Sequence, residues 1–303
     1  MRLVTAATAL LAATACAHGG GGGPAAVPPE MVRIPSGGFT MGWSRGPLNE
    51  RPSHEVLLGG FLIDRTEVTA ADFAEFLSAR GNPEERYLTP DERSTVVLTA
   101  GADAGSVYAA RPGYERHPAN NVSWEGAQAY CAWRGKRLPT EAEWEKAARG
   151  TDARRFPWGK QAPSAERARF GRAWGEDGID VLTAVDAQGA GASAYGVLNM
   201  SGNVMEWVND WYRQNLCDFC NPEQEADLPL ARLLSGDERS EPGARPIRQV
   251  PPREDPQGPG AGAFRVLRGG SWKELTTDGL RTTHRFWLAP GQRFPDTGFR
   301  CAR

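Results

Sequence analysis

Residues 199–212 read Asn-Met-Ser-Gly-Asn-Val-Met-Glu-Trp-Val-Asn-Asp-Trp-Tyr. Asn199, Asn203 and Glu206 place side-chain oxygens four and three residues apart. Gly202, which lies between them, permits a backbone turn that other residues resist. Because calcium binds six to eight oxygens at about 2.3–2.6 Å, two or three side chains and nearby carbonyls are enough for a site. The alternative is a turn in which these side chains bind only backbone amides.

The composition is that of a loop-rich globular protein. The chain has 303 residues, with 10 Trp, 36 Gly and 23 Pro. This length is enough to bury a large core, and the glycine and proline contents predict many loops around aromatic clusters. Trp207 and Trp211, four residues apart, are predicted to belong to the core. The 35 basic and 37 acidic side chains nearly cancel, so no nucleic-acid partner is expected.

Three segments carry the start and stop signals of helices. They run from Thr69 to Gly81, from Ser123 to Gly135 and from Thr140 to Gly150. In the third segment, the Thr140 hydroxyl is placed to accept from the Glu143 amide while the Glu143 carboxylate accepts from the Thr140 amide. This reciprocal cap is a strong local signal for a helix.

Short apolar runs predict strands. Residues 31–41 are expected to form a strand, a turn and a strand, and residues 56–63 a strand with a bulge or close backbone approach at its two glycines. Further short strands are predicted at Tyr87, at residues 96–98 and at Tyr108.

Residues 213–263 contain eight prolines and five glycines and almost no apolar periodicity. They are therefore predicted to be an irregular insertion and not an independent domain. Short helices, many short strands and extensive loops indicate an α+β fold, with a single loop-rich domain over residues 30–303.

Several blocks of sequence, in a fixed order from about Glu30 to Arg303, resemble the formylglycine-generating enzyme family, also called the sulfatase-modifying factor family. The blocks are Glu67 to Thr69, Val122 to Trp124, Gly135 to Glu145, Gly202 to Trp207, Arg268 to Trp272 and Gly298 to Cys301. The resemblance implies a C-type-lectin-like core. It also implies that Cys131 and Cys301 are bonded to each other.

The N-terminus resembles an export signal. Residues 1–15 have one basic residue and an apolar run that is too short to span a bilayer, and they end before Cys16. This pattern predicts a signal peptide, a lipidated Cys16 and a flexible Gly/Pro-rich tether over residues 16–29. An ordinary secretory signal with an incidental cysteine is the alternative. Both interpretations export the protein, and the first predicts a membrane-anchored lipoprotein facing the periplasm or cell surface.

Cys217 and Cys220 form a lone Cys-x-x-Cys pair. A closed zinc site needs four ligands, and no histidine lies near the pair. Because an exported protein meets an oxidising environment, we expect a local disulfide between the two cysteines. Redox or metal chemistry remains the alternative.

The oxidases of this family hold copper with two cysteines that follow Arg-Gly-Gly-Ser, and soft thiolates suit Cu(I). In this chain the corresponding positions carry Glu274 and Gly279. Copper is therefore not expected, and we predict that the chain is not a formylglycine-generating oxidase. The remaining catalytic candidates are Ser271 and Glu274, the latter as a general base if burial raises its pKa.

The resemblance also implies calcium. One family site corresponds to residues that are compatible with oxygen ligation here, namely Asn199, Gly202, Val204 and Glu206. A second family site corresponds to Arg169, Phe170, Asp177 and Ile179. There, Arg169 replaces an asparagine ligand, and a guanidinium beside a divalent cation is electrostatically unfavourable. We therefore expect calcium only at the first site.

Polar side chains expected near the former copper position are Asn203, Ser271, Trp272, Glu274, Arg281, His284 and Arg285. They suggest a cleft for a polar or peptide ligand. A structural role is the alternative for Arg268, Arg281 and Arg300, because arginines in glycine-rich folds usually pair with carboxylates or carbonyls.

The leading functional hypothesis is an exported lipoprotein with a non-catalytic binding or scaffold role in the cell envelope, as in gliding-motility lipoproteins of the family. Its partner would be an envelope protein, a peptide or a glycan. The alternative is an oxidoreductase that uses Glu274, as relatives without the cysteines act in siderophore maturation. A formylglycine-generating oxidase that acts on a sulfatase is the third possibility.

Overall fold

The computed structural model describes residues 27–100, 106–215 and 252–303. Its helices are α1 (Ala70–Arg80), α2 (Trp124–Trp133), α3 (Glu141–Arg149) and a single turn, α4 (Trp174–Asp177). Its strands are β1 (Met31–Ile34), β2 (Gly37–Met41), β3 (His54–Leu58), β4 (Phe61–Asp64), β5 (Val96–Ala100), β6 (Ser106–Ala110), β7 (Met205–Trp211), β8 (Arg253–Glu254), β9 (Arg265–Arg268), β10 (Arg285–Leu288) and β11 (Thr297–Phe299).

The strands form small sheets. The largest has the order β10-β9-β7-β11, and within it β11 runs parallel to β7 while the other pairs are antiparallel. A second sheet has the order β2-β3-β8, and two strand pairs, β1-β4 and β5-β6, complete the set. Long loops connect these elements. The predicted α+β fold with a single loop-rich core is confirmed.

All three predicted helices are present, and their caps are the ones that the sequence indicates. The Thr69 hydroxyl accepts from the Asp72 amide at 3.2 Å, and the Ser123 hydroxyl accepts from the Gly126 amide at 3.0 Å. Thr140 and Glu143 form the reciprocal cap. Each cap satisfies amides that the first helical turn leaves without partners.

The disulfide between Cys131 and Cys301 ties α2 to the C-terminus, as the resemblance implied, with Cα atoms 5.6 Å apart. Both cysteines are fully buried in the core cluster that surrounds Phe73 and Trp207. The bond joins residues 170 positions apart. In the chain-entropy model, a bridge of this span stabilises the fold by about 4–5 kcal/mol.

Three local predictions were wrong. Residues 56–63 do not form one bulged strand, because the two glycines separate β3 from β4 and these strands belong to different sheets. Tyr87 lies in a bend beside the isolated bridge between Leu88 and Val122. Trp207 is in the core, but Trp211 is only partly buried.

Trp211 forms one side of a cation–aromatic sandwich. The Arg265 guanidinium carbon lies 3.5 Å from the centroid of the Trp211 ring and 3.7 Å from that of Trp124. Burial lowers the pKa of Arg265 to about 10. The stacked rings hold the end of β7 against β9, so Trp211 stabilises the sheet at the end of this strand pair.

The predicted insertion begins after β7, and most of it, together with Cys217 and Cys220, lies outside the described residues. Within its described end, β8 pairs parallel to β3. The predicted signal peptide, Cys16 and most of the tether also lie outside the described residues. Among the described helices, none combines the length and apolar character needed to cross a bilayer.

Candidate functional site

The loop that follows β9 carries the positions that correspond to the family's copper ligands, and residues 270–279 are called the Ser271 loop below. Gly270 begins it with φ +66°, a conformation that side-chain-bearing residues rarely adopt. A Cβ atom at Gly270 would lie 2.4 Å from the Gly279 carbonyl oxygen. The close approach of these two glycines folds the loop back on itself.

Glu274 and Gly279 face each other in this loop. A Cβ atom added to Gly279 would lie 2.1 Å from Glu274 Oε2 and 2.3 Å from Glu274 Cδ. The carboxylate of Glu274 therefore fills the space that a side chain at position 279 would need. Positions 274 and 279 thus hold one carboxylate and one glycine, where the family resemblance implies a pair of thiols.

Ser271 and Glu274 belong to a short polar chain that ends at Asp296. The Ser271 hydroxyl donates to Asp296 Oδ2 at 3.0 Å, and the Lys273 ammonium lies 2.7 Å from the same oxygen. Burial raises the pKa of Glu274, the charge of Asp296 raises it further, and Lys273 opposes the change. Ser271 and Asp296 are buried, whereas the Lys273 side chain is half exposed.

Arg281, His284 and Arg285, which were expected beside Glu274, are held by other carboxylates. Arg281 pairs with Glu50 at 2.7 Å, and Arg285 binds both oxygens of Glu141 at 2.6 and 2.9 Å. Burial lowers the pKa of His284 to about 4. Buried acids on other segments thus hold Arg281 and Arg285, and Arg281 also pairs with Asp278 of the Ser271 loop at 2.6 Å.

The structural alternative for the arginines is therefore the correct one. Arg268 is fully buried and bridges two carboxylates of α3, with Nη1 3.0 Å from Glu141 Oε1 and Nη2 2.6 Å from Glu145 Oε2. Arg300 is also fully buried. Its partner is Glu206, in the stretch that carries the predicted calcium ligands.

Glu206 is the centre of a buried polar network, called the Glu206 network below, formed by Glu67, Asn199, Asn203, Glu206 and Arg300. Arg300 Nε donates to Glu206 Oε2 and Arg300 Nη2 to Glu206 Oε1, both at 2.6 Å. The Trp144 indole donates to Oε2 at 2.8 Å. A carboxylate has about four acceptor positions, so these three donors leave Glu206 one.

The two asparagines of the network hold the carboxylate of Glu67. Asn199 Nδ2 donates to Glu67 Oε2 and Asn203 Nδ2 donates to Glu67 Oε1, both at 2.9 Å. Burial raises the pKa of Glu67 to about 7. Sequence reasoning did not propose Glu67 as a site residue; its only signal was its place in the Glu67 to Thr69 block.

Asn199 Oδ1 is buried and has no hydrogen-bond partner in the part of the chain that the structure describes. The side chain is anchored on its other side, where Nδ2 donates to Glu67 and to the Val185 carbonyl oxygen. A buried acceptor without a donor is costly, and a cation would satisfy it. The oxygens of Asn199, Gly202, Val204 and Glu206 are of the kind that calcium binds, although Arg300 already holds both carboxylate oxygens of Glu206.

Gly202 is required by its surroundings. Its φ is +83°, and a Cβ atom there would lie 2.5 Å from the Arg169 carbonyl oxygen. That same oxygen accepts from the Asn203 amide at 2.8 Å. The Asn203 carbonyl in turn accepts from the Trp272 amide at 2.9 Å, so backbone bonds connect the Glu206 network directly to the Ser271 loop.

At the second family position, a guanidinium occupies the loop. Arg169 Nε donates to the Val181 carbonyl oxygen at 2.9 Å, and Arg169 Nη2 donates to the Asp180 carbonyl oxygen. The side chain thus supplies positive charge and donors to carbonyls of the loop itself. At the first site a guanidinium is also present, since Arg300 binds both oxygens of Glu206, so charge alone does not separate the two positions.

A cavity of about 370 Å³ lies apart from Ser271 and Glu274. Its lining includes His54, Asp210 and Arg285, and neither Ser271 nor Glu274 contributes to it. Burial raises the pKa of Asp210 to about 8, and Glu141 adds to the effect. Over residues 27–100, 106–215 and 252–303, no group of three or more His, Cys, Asp or Glu side chains is placed to hold a metal.

A family model described as the sulfatase-modifying factor enzyme 1-like domain matches residues 23–303. The chain belongs to the sulfatase-modifying factor family. Among its relatives in that family, the formylglycine-generating enzyme of Streptomyces coelicolor is 35% identical, over 89% of this chain and 88% of the relative.

Two further matches are a longer relative and a solved structure. The serine/threonine-protein kinase pkn1 of Chlamydia pneumoniae is 35% identical over 90% of this chain, but the match spans only 38% of the length of that relative. The solved structure of PvdO from Pseudomonas aeruginosa superposes with a TM-score of 0.59 at 28% identity, covering 90% of this chain and 93% of PvdO.

Proposed function

We propose that this member of the sulfatase-modifying factor family is an exported, membrane-tethered binding protein of the cell envelope and not a copper oxidase. The observation that carries the proposal is the carboxylate of Glu274, which fills the space beside Gly279. Two thiolates hold Cu(I) by soft coordination, and a single hard carboxylate is a poor replacement. Loss of two soft ligands lowers copper affinity by orders of magnitude, at about 1.4 kcal/mol per factor of ten.

The ligand that we propose is a polar group of an envelope protein, a peptide or a glycan. Glu274, Lys273 and Asp296 together carry one net negative charge when all three are ionised. A cationic or hydrogen-bond-donating group would be attracted to Glu274, whose burial makes a bond to a charged partner stronger than in water. The lipid anchor at Cys16 would keep the domain at the membrane, and no nucleic acid is involved.

We also propose a calcium ion as a structural component. It would be held by the side-chain oxygens of Asn199 and Glu206 and by the carbonyls of Gly202 and Val204. The unpaired Asn199 Oδ1 supports this proposal. Calcium there would stabilise the turn that joins the Glu206 network to the Ser271 loop and would take no part in redox chemistry.

Metal analysis of the purified protein tests both proposals together. We expect about one equivalent of calcium, no stoichiometric copper, and no oxygen uptake in the presence of a thiol reductant. Stoichiometric copper with thiol-dependent oxygen uptake would overturn the binding-protein proposal. The same sample incubated with a Cys-x-Pro-x-Arg peptide and analysed by mass spectrometry should show no conversion of cysteine to formylglycine.

A gain-of-function variant sharpens the test. Replacing both Glu274 and Gly279 with cysteine removes the carboxylate and supplies two facing thiols, so we expect the double variant to bind Cu(I). Glu274→Ala with Gly279→Ala is the matched control, which relieves the same steric conflict without thiols. Equal copper binding by the cysteine variant and the alanine variant would show that positions 274 and 279 do not form the ligand pair.

The second candidate function is an oxidoreductase that uses Glu274 as a general base. The raised pKa of Glu274 favours it, because a base that titrates nearer to neutral pH transfers protons more effectively. It predicts substrate-dependent oxygen uptake that Glu274→Gln abolishes while the melting temperature stays unchanged. Uptake that persists in Glu274→Gln would exclude this role for the carboxylate.

A further inference from the structure

A second, smaller cavity of about 160 Å³ lies at the end of α3, and its lining is strongly basic. The residues that line it are Trp43, Arg149, Ala153, Arg154, Arg155, Arg281 and Thr283. Four of these seven residues are arginines and none is acidic. Each arginine pairs with a carboxylate outside the lining, namely Glu145, Asp152, Asp278 and Glu50, so binding of an anion depends on the donors that these pairs leave unused. Ala153 and Arg155 are exposed at its edge, so solvent and solutes have access.

Two of the four arginines are held rigidly by other parts of the protein. Arg149 Nη1 donates to the Thr40 and Gly42 carbonyl oxygens at 3.0 and 2.6 Å. Arg281 donates to Glu50 at 2.7 Å and to Asp278 at 2.6 Å. These bonds fix both guanidinium groups before any ligand arrives, which lowers the entropic cost of binding.

The same two arginines each retain an unused donor. Arg149 Nε and Arg281 Nε are buried and have no acceptor among the described residues. The two residues are only 6% and 5% exposed. Arg265 and Arg268 also have an unpartnered Nε, but neither of them lines this cavity. A buried donor without an acceptor is destabilising, and the cavity that both side chains line is where an acceptor can enter.

Of the other two arginines, Arg155 can respond to a ligand, whereas Arg154 is already held by a carboxylate. Arg155 pairs with Asp278 at 3.3 Å, and both side chains of this pair are more than half exposed. Exposed ion pairs contribute little to stability, so Arg155 can leave Asp278 at low cost. Arg154 is held by Asp152 on the solvent side of the cavity.

We propose that this cavity binds a tetrahedral oxyanion, a phosphate or sulfate group that is either free or esterified to a larger molecule. The planar guanidinium fork matches the oxygens of such a group. The Nε donors of Arg149 and Arg281 would bind it from the buried side and Arg155 from the exposed side. Trp43, whose ring lies 5.3 Å from the Arg281 guanidinium carbon, would border an esterified group that leaves through the opening. The proposal does not rest on the proposed binding function, although Asp278 of the Ser271 loop pairs with both Arg155 and Arg281.

Calorimetric titration of the full-length protein tests the proposal. Sodium sulfate, sodium phosphate, phenyl phosphate and sodium acetate are added in turn at constant ionic strength set with sodium chloride. We expect sulfate or phosphate to bind at least tenfold more tightly than acetate. Tighter binding of phenyl phosphate than of phosphate would indicate an esterified ligand, and equal binding would indicate the free anion. Binding of sulfate and phosphate no stronger than that of acetate would overturn the proposal.

Exposed substitutions locate the site without threatening the fold. Ala153→Glu places a carboxylate at the edge and should weaken phosphate or sulfate binding at least tenfold, and Arg155→Gln should weaken it about fivefold. Arg116→Gln is the matched control, since Arg116 is exposed and pairs with one exposed carboxylate, Asp186. It has the same charge change as Arg155→Gln and should bind as the wild type does. Equal affinities in all three variants would show that the anion does not occupy this cavity.

Discussion

The Glu206 network and the Ser271 loop both carry carboxylates at positions to which the family resemblance assigns a metal. The carboxylates of the two regions differ in their burial and in their partners. In the Glu206 network, each carboxylate is deeply buried and accepts bonds from side chains that come from distant segments. In the Ser271 loop, Glu274 is only partly buried, and it fills a space that glycine leaves open. The first region is part of the core, and the second is the edge of a loop.

The difference underlies our proposal that the chain keeps a calcium site and lacks a copper site. A hard-cation site made of carbonyls, an amide and one carboxylate depends on backbone geometry, and the core preserves that geometry. A soft-metal site depends on two thiol side chains, and two substitutions in a loop remove both ligands without disturbing the core. Replacement of the two ligands would therefore disturb the structure little, whereas the Glu206 network is tied to the fold.

The largest expected effect comes from breaking the network. Arg300→Gln leaves the ionised Glu206 buried without its charged partner, and we expect a loss of about 3–5 kcal/mol in the free energy of unfolding. Guanidinium titration followed by tryptophan fluorescence measures it. Arg116→Gln, at an exposed pair, should cost below about 1 kcal/mol. Similar losses in the two variants would mean that the network is not the core element inferred here.

Calcium removal should have the next largest effect. A ligand present at a hundred times its dissociation constant stabilises the folded state by about 2.7 kcal/mol, so adding EGTA should lower the melting temperature. Asn199→Ala should be less stable and should no longer respond to EGTA, whereas Arg116→Gln should respond as the wild type does. A wild-type melting curve that EGTA leaves unchanged would contradict the calcium proposal.

A substitution within the Ser271 loop should have a smaller effect on stability, and that effect should depend on the presence of Glu274. Gly279→Ala places a Cβ atom 2.1 Å from Glu274 Oε2, which forces the flexible Glu274 side chain to move at a cost of about 1–2 kcal/mol. In a Glu274→Ala background the cost should disappear. A double-mutant cycle from unfolding free energies gives the coupling. Equal costs in both backgrounds would show that the two residues do not meet.

The last prediction concerns the pH dependence of stability and another buried acid, Asp210. Burial raises its pKa from the ordinary 3.8 to about 8, so between these values the folded state holds a proton that the unfolded state has lost. Its stabilisation is complete below pH 3.8 and is lost as the pH rises towards 8, by about 1 kcal/mol per pH unit.

Asp210→Asn removes this group while preserving an oxygen that can accept from the Glu141 amide. The unfolding free energies of the wild type and the variant are measured from pH 5 to pH 8. As the pH rises, the value for the wild type should fall more steeply than the value for the variant. Parallel curves would show that Asp210 is ionised in the folded protein.

Local features of the fold could be predicted because their causes are local. Thr69, Ser123 and Thr140 each begin a helix by accepting a bond from the amide three residues later, and such bonds depend only on nearby sequence. The division of residues 56–63 between two sheets was missed for the opposite reason. It depends on the partners of β3 and β4, which lie elsewhere in the chain.

The family, the α+β class, the capped helices and the absence of cysteine at positions 274 and 279 follow from the residues alone. Which charges meet depends on how the chain packs. Arg300 and Glu206 are 94 residues apart, Arg268 and Glu145 are 123 apart, and Arg281 and Glu50 are 231 apart. No local pattern specifies such pairs, because a guanidinium finds its carboxylate only after the sheets and helices have packed. The basic cavity arises in the same way, from arginines that the chain brings together only when it folds.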